Sequence, residues 1–232
     1  GAKLVQLADF VQEYREDWLC FETLMVGGTY KAFNDEVHNI GKEPLLQFYR
    51  QITLSWHGVD PSKTPTSHQI LLVRKQGHRA IANFRTVASH LAREFGRVAH
   101  VCTSSFMEMP ITQQLHMLSH TTIAVSPCGG ISMMLPFLPE GAHVVLVNYQ
   151  MDPRGLQDWL GGLGEHGECS SCSWTMEAEL WRHVRHIHVM PYQVFKPSEF
   201  ERGRPGRHEA VHVDPKRLNR LIRAAILEME PY

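Results

Sequence analysis

The feature that most limits how this chain can fold is an alternation between residues 69 and 147 of short, unbroken apolar runs with segments of helical period. Gln69-Ile-Leu-Leu-Val73, Val98 to Val101, Thr122-Ile-Ala-Val125 and His143-Val-Val-Leu-Val147 have strand length and no polar residue at every second position. Between them, Ile81 to Phe95 places Ile81, Phe84, Val87, Ala88, Leu91 and Phe95 at helical spacing, closed by Gly96. Ile111 to Leu118 reads as a further helix and Gly130 to Leu138 as a short apolar one. A strand that is apolar throughout needs cover on both faces, which implies a parallel sheet flanked by helices. The chain therefore reads as α/β, with a Rossmann-like parallel-sheet half whose ligand crevice lies at the carboxyl ends of the strands.

The flanks are less regular. Leu4 to Leu19 has the spacing of an amphipathic helix, and Cys20 to Val26 that of a strand ended by Gly27-Gly28. Glu43 to Trp56 suits a helix with Pro44 in its first turn. Gly58 to Ser67 has the composition of a connection, so residues 1–65 are expected to form a smaller N-terminal part and 66–232 the Rossmann-like part with a C-terminal helix. Gly155 to Ser173 is expected as a long loop, Glu177 to Val184 as a short helix and His186 to Val194 as a fifth strand. The closing helix, Pro215 to Met229, has Asp214 and Pro215 as its N-cap and first residue.

Charge narrows the function classes. With 23 basic and 24 acidic residues and a formal net charge of -1, the chain lacks the basic excess of a general nucleic-acid or anionic-membrane binder. Any anion must be met locally. No signal peptide or membrane span is recognisable, and the compartment is left open.

Three segments could carry chemistry. Arg74 and Arg79 stand where the first strand gives way to its helix, within reach of a phosphate at the sheet edge or simply as surface arginines. In Val125-Ser-Pro-Cys-Gly-Gly-Ile-Ser-Met-Met134, Gly129 and Gly130 either admit a ligand to a helix start or serve tight packing. In Thr103-Ser-Ser-Phe-Met-Glu-Met-Pro110, Phe106 either stacks on a base or buries against the core. A separate set of His166, Cys169, Cys172, His183, His186 and His188 is open to three readings: a zinc site, a Cys169–Cys172 disulfide, or ordinary loop thiols.

Taken in order, Arg74, then Arg79-Ala-Ile-Ala-Asn83, Ser105-Phe106 ahead of Ile111-Thr-Gln-Gln114, Ser126-Pro-Cys-Gly-Gly-Ile-Ser132 and Pro136-Phe-Leu-Pro-Glu-Gly141 resemble glycosyltransferase family 61. That family includes plant β-1,2-xylosyltransferases and extracellular O-GlcNAc transferases. Cys20-Phe21 resembles its upstream Cys-Phe stretch, so the similarity runs from about Leu19 to Val147. Four positions depart from the pattern: Cys128 replaces the His of a His-Gly-Ala turn, Gly130 its Ala, Gln113 the Glu of a Glu-Gln pair, and Leu146 an acidic residue.

The resemblance implies a GT-B-like architecture and inverting transfer of a sugar from a UDP-sugar, UDP-xylose or UDP-N-acetylglucosamine, to a hydroxyl of a glycan or glycoprotein. Donor contacts are then expected from Arg74, Arg79, Asn83, Ser105, Phe106, Gln114, Ser126, Pro127, Cys128, Gly129, Gly130, Ser132 and Met133. The general base is expected among Asp35, Glu36 and His38. No Asp-x-Asp motif occurs, so no divalent metal or other cofactor is expected at the donor. The first 65 residues are short for an acceptor half, so either a compact version or further upstream sequence is expected. An inactive nucleotide- or glycan-binding relative and a zinc-stabilised interaction domain are the alternatives.

Overall fold

The computed structural model describes residues 43–151, 184, 186–204 and 209–229. The expected elements over Leu4–Leu19, Cys20–Val26 and Gly155–Ser173, and all but the end of Glu177–Val184, lie outside these residues. In chain order the described elements are α1 (Glu43–Trp56), β1 (Gln69–Val73), α2 (Phe84–Phe95), β2 (His100–Ser104), α3 (Ile111–Ser119), β3 (Ile123–Pro127), a 3-10 helix (Gly130–Phe137), β4 (His143–Met151), β5 (His188–Val194) and α4 (Pro215–Glu228). Single 3-10 turns occupy Phe106–Glu108 and Pro197–Glu199.

Among the described residues five strands form one sheet in the order β2-β1-β3-β4-β5, and every neighbouring pair is parallel. This is a mixed α/β chain with an all-parallel sheet, consistent with a Rossmann-like fold. The unbroken apolar runs have their expected cause: Ile70 to Val73 and Ile123 to Val125 are fully buried, as strands covered on both faces must be. Val87, Leu91 and Phe95 of α2 and Leu218, Leu221, Ile222 and Ala225 of α4 repeat at three or four residues and belong to the same core. Each large aliphatic side chain so buried stabilises the fold by about 1.5–3 kcal/mol relative to exposure. No helix among the described residues is long and apolar enough to cross a membrane.

Of the differences from expectation, three have a visible local cause. The second strand runs over His100–Ser104, not Val98–Val101, because the Val98 and Ala99 amides both bond the Phe95 carbonyl and so close α2. The Gly130 segment winds as a 3-10 helix with Pro136 inside it, a residue that has no N–H for an α-helical bond. The fifth strand starts at His188, since the His186 ring is engaged by Gln47 at 2.9 Å and by the Pro136 carbonyl at 2.9 Å.

Helix α1 is joined to the sheet domain through buried Arg50, whose Nε and Nη2 donate to the Leu138 carbonyl at 3.2 and 2.9 Å. At the other end Asp214 caps α4 by accepting from the Lys216 amide at 2.9 Å. Arg217 then reaches from α4 to the Gln193 carbonyl and to Glu199 Oε1, each at 2.8 Å, with its guanidinium 3.9 Å from the Tyr192 ring centre.

Candidate functional site

In the order β2-β1-β3, the chain leaves β1 toward one edge of the sheet and later enters β3 on the other side of β1. The loops after β1 and β3 therefore part at their carboxyl ends and open a crevice between them. Lys75, just past β1, bridges it: Nζ donates to the Cys128 carbonyl at 2.8 Å. Gly129 follows with φ +115°, a conformation an L side chain rarely adopts. A Cβ there would stand 2.7 Å from Lys75 Nζ and 3.6 Å from Arg79 Nη1, so the missing side chain is what lets both cations approach the turn.

The loop after β1 is itself wound unusually. Gly77 has φ +74°, and Arg79, at +58°, is the only non-glycine residue with positive φ among the described residues. Left-handed backbone costs a residue with a Cβ about 1–2 kcal/mol. Such strain persists where surrounding bonds over-determine it, often at functional sites. Here the bonds are those of Ala82 N to Val211 O and Val211 N to Ala80 O, both 2.9 Å, which pin the loop to the segment leading into α4.

Beside this loop lies a cleft of about 460 Å³ lined by Arg74, Lys75, Gln76, Ile81, Ala82, Asn83, Phe84, Arg85 and Thr86. The volume falls within the range of small-ligand pockets. Arg74, Lys75 and Arg85 are cationic and no lining residue is acidic. The first turn of α2 forms one wall, carries no acidic residue and receives no side-chain cap from Asn83. A helix start of this kind favours an anion through its amides and its dipole.

The expected donor contacts divide sharply. Arg74 lines the cleft, and Arg79 reaches the Gly129 turn from the same loop, where the missing side chain of Gly129 leaves room for it and for Lys75. Gly130 is exposed, with no atom within 4 Å of a Cβ built on it. Asn83 lines the cleft, but its amide is used elsewhere: Nδ2 donates to the Val213 carbonyl at 2.8 Å and Oδ1 accepts from the Val213 amide at 2.9 Å. It is a positioning residue for the cleft wall.

Several expectations need correction. Phe106 is buried in the core at 2% exposure, so its ring offers no platform to a base. Gln114 donates to the Phe106 and Met109 carbonyls at 2.8 Å each, holding the loop after β2, while Ser105 only precedes the 3-10 turn in that loop. Ser126, Pro127 and Cys128 are wholly buried, Ser126 Oγ bonding the Pro127 carbonyl, so the Cys128 thiol lies in the core rather than toward a donor sugar. Ser132 closes the turn on itself, its amide and hydroxyl both donating to the Gly129 carbonyl at 2.8 and 2.6 Å. Met133 is half-buried within the 3-10 helix. The helix start that faces the cleft is thus that of α2. Asp35, Glu36, His38, His166, Cys169, Cys172 and His183 lie outside the described residues.

Sequence reasoning missed Lys75 and Arg85. For Arg85 a signal existed, because a cation in the first turn of a helix opposes the dipole and asks for an anion nearby. No family model matches the chain, and no curated protein matches it either.

Proposed function

We propose that this chain binds a nucleoside diphosphate sugar in the cleft between the carboxyl end of β1 and the start of α2, and serves as the donor half of a GT-B-like inverting glycosyltransferase. The observation that carries the reading is the cleft of about 460 Å³ lined by Arg74, Lys75 and Arg85 beside the start of α2, which receives no side-chain cap. That arrangement suits a diphosphate. Arginine forks pair bidentately with phosphate oxygens, and the helix dipole adds oriented positive potential.

In the proposed reaction an acceptor hydroxyl attacks the anomeric carbon from the face opposite the diphosphate, and a base takes its proton. The bond from that carbon to the diphosphate oxygen breaks as the new glycosidic bond forms. The oxygen that leaves carries negative charge, and Arg74, Lys75 and Arg85 stabilise it where it develops. The base is assigned to Asp35, Glu36 or His38, and UDP-xylose or UDP-N-acetylglucosamine to the donor, on the resemblance to glycosyltransferase family 61. The cations at the cleft supply the charge that a divalent metal supplies in other transferases.

A second reading, a relative that binds the nucleotide without transferring sugar, is favoured by the burial of Cys128 where the family pattern has His. A thermal-shift panel of nucleotide sugars tests the main reading. UDP or a UDP-sugar at a hundredfold excess over its Kd stabilises the fold by about 2.7 kcal/mol, and Arg74→Ala removes most of that gain. No shift with any nucleotide overturns the proposal. Binding without release of UDP in the presence of glycan acceptors selects the second reading.

A further inference from the structure

The opposite edge of the sheet carries a second cluster of chemistry-bearing side chains. His143 opens β4 and His188 opens β5, and the two are register partners in the parallel ladder. Their rings stack with centres 4.7 Å apart and planes 20° from parallel. Glu228, in the last turn of α4, brings Oε2 to 2.9 Å from His143 Nε2. One ligand atom from each residue lies within 4.8 Å of the other two.

From this juxtaposition we infer that His143, His188 and Glu228 form a binding site for a divalent cation of the zinc type. Two imidazole nitrogens and one carboxylate oxygen match zinc's preferences, and three protein ligands leave a fourth position for water. Tetrahedral zinc with bonds of about 2.0–2.2 Å needs its ligand atoms about 3.3 Å apart. The His143–Glu228 pair is already that close. The remaining gap closes by rotation of His188 and Glu228, which are exposed, toward His143, which the core holds at 1% exposure. Zinc takes the Nε2 lone pair of the Nδ1–H tautomer, so the proton on Nε2 moves to Nδ1 and the hydrogen bond to Glu228 gives way to the two metal bonds.

The site stands at the amino ends of β4 and β5, whereas the cleft stands between the carboxyl end of β1 and the start of α2. Its effect is to fasten the last turn of α4 to the sheet, separately from donor binding. Calorimetric titration with zinc chloride, paired with thermal unfolding, tests this. Wild-type protein binds one zinc at this site and unfolds at a higher temperature with it. His188→Ala and Glu228→Gln, both at exposed side chains, each weaken the affinity roughly tenfold or more, while a control at exposed His100→Ala does not. Cobalt substitution shows ligand-field bands without a thiolate-to-metal charge-transfer band. Zinc binding that survives both variants overturns the inference. So does binding lost in Cys169→Ser with Cys172→Ser, or a thiolate band in the cobalt form, since each puts the metal on the cysteines.

Discussion

Replacing Gly129 by Ala separates two costs that the structure puts at one position. The backbone there has φ +115° and ψ -169°, a region essentially reserved for glycine, and holding a Cβ in it costs about 1–3 kcal/mol. The new methyl group also meets Lys75 Nζ at 2.7 Å. The ammonium is the end of a flexible chain, so it swings away and gives up its bond to the Cys128 carbonyl, a loss of about 0.5–1.5 kcal/mol. The sum is about 1.5–4.5 kcal/mol, a large share of the roughly 5–15 kcal/mol that holds a typical domain folded. In urea, with a slope of about 2 kcal/mol per molar, the midpoint falls by about 1–2 M. Gly130→Ala is the internal control. It has open space around it and no positive φ, so it stays within about 0.5 kcal/mol of wild type. In a Lys75→Ala background the cost of Gly129→Ala shrinks to the backbone term alone. Equal midpoints for Gly129→Ala and wild type, or equal losses for the two glycines, would refute the reasoning.

Three further outcomes are expected. Arg85→Ala leaves unliganded stability unchanged or raises it by up to about 1 kcal/mol, because it removes a cation from a helix start, yet it weakens nucleotide binding; paired urea and calorimetric titrations read the two signs. Arg217→Ala deprives Glu199, only 17% exposed, of its 2.8 Å partner and costs about 2–3 kcal/mol in urea unfolding, part of which Glu199→Gln restores in the double variant. Burial, and then the charge of Arg50, hold His186 at about 4 against an ordinary 6.5. Between those values the unfolded chain takes up a proton that the folded chain refuses, so stability rises from pH 4 to 6.5 and is complete above it. The contribution is about 2–3 kcal/mol after allowance for partial exposure. His186→Gln flattens this acid limb of the unfolding temperature against pH, and the part due to His143, which is shifted the same way, remains.

The sheet was readable from sequence because strands buried on both faces leave uninterrupted apolar runs, and helices that cover them leave a stripe every three or four residues. The second strand was misplaced because Val98, apolar and β-branched, looks like the start of a strand while it is 60% exposed at the exit of α2. At the site, position in the chain was informative and polarity was not. Arg74 and Arg79 were legible as residues at a strand end. Asn83 looked equally suited to a ligand, but its amide is taken by Val213, 130 residues away, a pairing that no local pattern encodes. Gln114, Ser126 and Ser132 were misjudged for the same reason at shorter range: each spends its polar side chain on a nearby backbone carbonyl. The His143–His188 pair was invisible because it depends on the register of two strands separated by a long excursion.

Titration of isotope-labelled protein with UDP, followed through its backbone amide resonances, tests most directly whether the cleft between β1 and α2 is the donor site. The expected result is saturable shifts at Arg74 to Thr86 and at Cys128 to Ile131, with the amides of His143 and His188 undisturbed and the response lost in Arg74→Ala. Shifts confined to the far edge of the sheet, or none at saturating nucleotide, would contradict it.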